Sequence, residues 1–156
     1  DARAYYNSRD EEKCFTVAFD HQSAAAGEYS AYWQNTSSTD TLVISSIGVN
    51  AVQAARIKLW FVDSTTATGG AALTPVNLNR SSSKDAEANA RQGSSGDAIT
   101  GPGLDGLIDF LYVTATGHEE FRLSDRVRLG QNDAIAIEYD EGTDGDFGGV
   151  IFGFYE

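Results

Sequence analysis

One cysteine, two prolines, and 11 basic residues set against 23 acidic ones are the scarcities of this 156-residue chain, and each closes off a class of protein. Cys14 has no second cysteine to pair with, so a scaffold stapled by internal disulfides is excluded. It lies in the alternating run KCFTVAF and reads as a small buried hydrophobe; a reactive thiol would need a neighbouring base to lower its pKa. The shortage of Lys and Arg leaves a net charge of −12 and a pI near 4.4. A surface of that sign repels phosphate backbones and anionic lipid, so neither nucleic acid nor a membrane surface is expected as a partner. No run of roughly 18 apolar residues occurs, which is the length a membrane-spanning helix requires.

What is present points to strands. At 41% hydrophobic and 11% aromatic, the chain has the composition of one folded domain able to bury a core without covalent help. No long segment repeats its apolar residues at helical spacing. Instead, β-branched and aromatic runs alternate with Gly, Ser, Asn and Asp clusters. The clearest strands span 13–20, 28–35, 41–49, 56–63, 107–114, 119–123, 134–139 and 149–155, with weaker ones at 74–79 and 86–92. In ARIKLWFVD, Ile57, Leu59 and Phe61 share one face, while Ile135, Ile137 and Tyr139 form a similar stripe. In EYSAYWQN, strict alternation puts Tyr29 with Trp33 and opposite Tyr32. The final run, VIFGFYE, is apolar on both faces and calls for a central place in its sheet or a subunit contact. Residues 83–92 fit a loop, a strand or a short helix equally.

About eight to ten strands at this length predict an all-β, antiparallel two-sheet sandwich, with jelly-roll connections ahead of a closed barrel. The polar stretch 1–12, anchored only by Tyr5 and Tyr6, reads as an N-terminal arm preceding a single domain at 13–156. The stretch GGAALTPVNLNRSSS at 69–83 contains no acid, histidine or thiol. It reads as an ordered connector suited to capping a sheet edge or contacting a neighbour, with Leu73, Pro75, Val76 and Leu78 as its contact residues.

Chemically suggestive residues are few. Asp140, Glu141, Asp144 and Asp146 crowd oxygen ligands beside glycines, as Ca²⁺ requires, but they lack EF-hand spacing, and a solvated acidic hairpin tip between two strands is the ordinary explanation. His21 follows Asp20, and His118 precedes Glu119, but adjacent residues of a strand point to opposite faces. No nucleophile elbow or His/Cys metal spacing is present. The expectation is therefore no catalysis and no cofactor. Trp33, Trp60 and Tyr29 are the residues from which a sugar-stacking platform would be built, against the alternative that they fill the core.

ALTPVNLNR at 72–80, followed by a Ser-rich stretch and GDAITG at 96–101, resembles small β-sandwich structural proteins of tailed bacteriophages. AYWQNTSST at 31–39, TLVISSIGV at 41–49, DAIAIE at 133–138 and the glycine-aromatic end at 149–156 extend the resemblance along most of the chain. The resemblance implies a virion component assembled in the host cytoplasm: a capsid decoration or cement protein, or a head-fibre or tail-associated subunit. Its partners would be the major capsid protein or other virion subunits, and copies of itself in a symmetric homo-oligomer, a trimer for a decoration role. Tyr5 and Tyr6 would then anchor the arm on a neighbour. The alternative is a carbohydrate- or receptor-binding sandwich of a fibre or tail.

Overall fold

The computed structural model describes residues 7–156; Tyr5 and Tyr6 lie outside them. A π-helical turn, Asn7–Glu11, precedes the strands. These are β1 (Cys14–Ala24), β2 (Glu28–Asn35), β3 (Leu42–Ala51), β4 (Ala55–Val62), β5 (Thr68–Gly69), β6 (Ala71–Leu73), β7 (Val76–Asn77), β8 (Ala88–Gln92), β9 (Ile99–Thr100), β10 (Leu104–Val113), β11 (Gly117–Leu129), β12 (Ala134–Gly142) and β13 (Gly145–Tyr155). One sheet runs β11-β3-β13-β1-β7, the other β10-β4-β12-β2-β8-β6, and β5 pairs with β9 in a small third ribbon. Among the eight long strands, the chain crosses to the other sheet at every connection except β4 to β10, which are neighbours. Every pairing is antiparallel, and the two large sheets pack as a β-sandwich.

The period-two pattern decides which side chains enter the core. Phe15, Val17 and Phe19 of β1 point inward, as do Ile57 and Leu59 of β4 and Ile135, Ile137 and Tyr139 of β12. They meet Ile44, Ile47, Phe121 and Ile151 from the other strands. Each such side chain, fully withdrawn from water, stabilises the fold by about 1.5–3 kcal/mol before entropy is counted. β13 lies between β3 and β1, the central position its apolar pattern called for. Residues 83–92 resolve as a strand over their second half, where Ala90 packs into the core.

Two polar features hold the loops. Asn35 is fully buried, and its amide donates to the carbonyls of Asp40 and Leu129, both at 2.9 Å, while its oxygen accepts the Ser37 amide at 2.9 Å. The buried side-chain amide is thus paired at both its nitrogen and its oxygen within the protein. The 69–83 connector crosses from one sheet to the other: β6 pairs with β8 and β7 with β1, which caps both sheets on one side. Asn77 fastens it by donating to the carbonyls of Glu12 at 2.9 Å and Lys84 at 3.0 Å.

Strict alternation fails in β2. The register against β12 slips between Ile137 and Glu138, where Ala31 and Tyr29 are the successive partners, leaving Ser30 as the extra residue of a bulge. Tyr29 is thereby turned to the side of Tyr32, and Trp33 points into the core beside Ala31, completely buried.

Candidate interaction surface

The outward face of the β10-β4-β12-β2 sheet is only partly covered. The β5–β9 ribbon lies over one part, where Ala67 and Ile99 close over Tyr32, Val62, Ala134 and Ala136. Beyond it, an open area is built from three strands in register. On β10, Tyr112 stands beside Arg56, Phe110 beside Lys58, and Leu107 beside Trp60. Across β4, Glu138 faces Lys58 and Ala136 faces Trp60. The result is a column of large apolar groups at the sheet margin, then a basic and aromatic column, then an acidic one.

The middle of this surface is tied down. Arg56 Nε donates to Asp140 at 2.6 Å, and its Nη2 lies 2.9 Å from Glu141. Lys58 Nζ reaches the other Asp140 oxygen at 3.3 Å and sits 5.8 Å from the Trp60 ring centre. Trp60 Nε1 donates to Glu138 at 3.0 Å. Partial burial would raise the Asp140 pKa, but hydrogen bonds and charge from Arg56 and Lys58 outweigh it and hold the carboxyl below its ordinary value. Phe110 and Tyr112 meet edge to face, centroids 6.1 Å apart. A shallow groove of 640 Å³ continues the surface past Arg56, Tyr112, Thr114 and Glu141.

The apolar column is open to solvent. Leu104 is 43% exposed, Leu107 44%, Phe110 48% and Tyr112 65%. These residues were not singled out by sequence reasoning. GLIDFLYV is apolar at both parities, the pattern of a strand buried on both faces, and only its position at the sheet margin exposes it.

The residues expected to carry chemistry fall as follows. Asp140 is spent on Arg56 and Lys58, and Asp146 accepts the Ser23 amide at 2.9 Å. Thr143 and Asp144 form the short turn between β12 and β13, and the four carboxylates do not converge. Among the described residues no group of three His, Cys, Asp or Glu side chains is placed to hold a metal ion. The sugar platform is not assembled as expected: Trp33 is in the core, Tyr29 packs against the covered cluster, and Trp60 alone stands on the open face. The β2 bulge and the inward aim of Trp33 are the reason.

Of the connector residues, Leu73 packs on the core and Pro75 is half-buried, whereas Val76 and Leu78 face solvent. His21 forms an unexpected line with Ser30 and Glu28: Nδ1 is 2.8 Å from the Ser30 hydroxyl, and Nε2 is 3.6 Å from Glu28. Both His21 and Ser30 are shut away from solvent, so the arrangement joins β1 to β2 and presents no accessible nucleophile. His118 lies exposed on β11, its ring over Gly48.

No family model, no curated protein and no solved structure matches this chain.

Proposed function

We propose that this protein is a structural component of a tailed-phage particle, a decoration or cement protein that works through contacts with other protein subunits. The observation that carries this reading is the apolar column of Leu104, Leu107, Phe110 and Tyr112, half exposed along a ten-residue strand and flanked by Trp60 and Arg56. Aromatic residues and arginine at the centre of a patch, with charged groups at its rim, are what protein interfaces use for their strongest contacts. Monomeric proteins seldom leave such a row uncovered.

Two further points support the reading. The order in which the eight long strands fall in the two sheets is that expected of a jelly roll, a scaffold common among viral capsid proteins and lectins. The quoted segments that resemble phage sandwich proteins coincide with β2, β3, the connector, β12 and β13, which are structural elements of the sandwich. A sugar-binding role draws on Trp60 alone, and Lys58 already lies over that ring while Glu138 holds its N–H.

Co-sedimentation of the purified chain with empty heads of the phage that encodes it tests the proposal. Saturable binding, lost on changing Phe110 and Tyr112 to Asp, is the expected result. Failure to bind heads or any other virion assembly overturns it.

A further inference from the structure

The four margins of the two sheets are treated very differently. β6 and β7 are three and two residues long and belong to the connector that closes their side. β11 is long, but it alternates exposed charge (Glu120, Arg122, Arg126, Arg128) and is broken by a bulge between Arg122 and Val127. Ser124 and Asp125 in that bulge have φ of 52° and 56°, left-handed values that throw the strand out of line. Short strands, charges and bulges are the means by which natural sheets prevent pairing with another chain.

β10 has irregularities against β4 between Leu104 and Gly106 and between Leu107 and Asp109, and it exposes Asp105 and Asp109. Yet it runs for ten residues, pairs with β4 alone among the described residues, and exposes leucine and aromatic side chains with no lysine or arginine among them. Its shielding is local: the Asp109 carboxylate accepts the backbone amide of Phe110 at 2.8 Å, occupying a donor that a neighbouring strand would otherwise take. That cap is readily exchanged for a strand partner, because it is exposed and made within one dipeptide.

We propose that β10 is the site at which a second copy of this chain docks, the two β10 strands pairing antiparallel about a two-fold axis so that one sheet continues across both molecules. The proposal deepens the structural-protein reading and rests on it for the biological setting. A two-fold contact uses the same patch on both partners, so a margin strand needs no other surface as its complement. The apolar residues of the column then meet one another as cross-strand pairs, leucine against aromatic.

With about 200 Å² for each such residue when free, Leu104, Leu107, Phe110 and Tyr112 leave roughly 400 Å² uncovered per copy, so two copies offer about 800 Å² of side-chain surface. Specific interfaces begin near 1,000 Å², and the backbone of two paired ten-residue strands contributes the remainder. The aromatic rings favour this occupant over a sugar: Phe110 and Tyr112 stand perpendicular and so present no flat platform, and the Trp60 face is covered by Lys58.

Sedimentation velocity and light scattering, from low micromolar to millimolar chain, decide the matter. The wild type is expected to reach the mass of two chains, and amides of residues 104–113 to gain exchange protection as concentration rises. Leu107→Lys with Phe110→Lys should weaken association at least tenfold while leaving the circular dichroism spectrum unchanged, since both side chains are half exposed. Val76→Lys with Leu78→Lys, on the connector side, should leave association as it is. A wild type that stays monomeric at every concentration, or a dimer indifferent to the β10 changes, overturns the proposal. So does a monomer that binds glycans through the same residues. Head co-sedimentation is read separately: a chain that dimerises through β10 but ignores every virion assembly refutes the phage setting and leaves the contact standing.

Discussion

The hydroxyl of Ser30 lies 2.8 Å from Nδ1 of His21, with both side chains closed off from solvent. Glu28 stands 3.6 Å from the other ring nitrogen, so the tautomer that suits both neighbours keeps its proton on Nε2 and accepts from Ser30 at Nδ1. Burial lowers the His21 pKa below its ordinary value, and the charges of Glu28 and Asp20 only partly oppose this. The unfolded chain, with a histidine near pKa 6.5, therefore takes up the proton first as pH falls. Stability is expected to be level above about pH 6.5 and to decline below it, toward the lowered folded-state value. Urea titrations between pH 5 and pH 8 on the native chain and on His21→Asn measure this; a slope that survives the substitution assigns it to another group.

Gly93 belongs to the same cluster. A Cβ there would come within 2.7 Å of the Tyr29 carbonyl and 2.8 Å of the His21 ring, and both are fixed. Gly93→Ala is expected to cost about 1–3 kcal/mol, the usual penalty of overpacking. Gly96→Ala, with open space around its Cβ but φ of +77°, is a control for strain without crowding. Thermal unfolding of both variants separates the two effects.

The two tryptophans should behave oppositely. Trp33 is completely buried in the core, so Trp33→Ala is expected to lose about 3–5 kcal/mol. Trp60 stands on the open face, and Trp60→Ala should cost about 1 kcal/mol or less. Guanidinium unfolding gives both numbers. Equal losses would mean that the inward and outward assignments of β2 and β4 are wrong.

Cys14 is buried against Val43 and Phe154, and burial raises its pKa. The thiolate is the reactive form, so the native chain should react with a disulfide reagent orders of magnitude more slowly than the denatured chain. Rapid stoichiometric labelling of the native protein would show that the outer side of β1 opens.

Much of the architecture can be read from side-chain alternation. The spacing of Ile57 and Leu59, and of Ile135, Ile137 and Tyr139, marks which face is buried without any knowledge of the partner sheet, because a strand repeats every two residues. Glu28–Asn35 begins and ends where its composition changes. Alternation misleads where a bulge intervenes: Tyr29 and Trp33 are four residues apart yet face opposite ways, since one extra residue at Ser30 reverses the sequence-based parity. No local signal in EYSAYWQN marks that bulge, which arises from the fit of β2 to β12.

The exposed column on β10 is the clearest case of what sequence leaves open. The sequence reads a strand at 107–114 that is apolar on both faces, and the structure starts it three residues earlier, at Leu104. Whether such a strand is buried between neighbours, as β13 is, or stands at a margin with Phe110 and Tyr112 in solvent depends on strand order. Strand order is set by which long-range pairings bury the most surface together, a property of the whole chain that no ten-residue segment encodes. Composition and alternation determined that this protein is a β-sandwich; the tertiary structure alone decided which margin it leaves open.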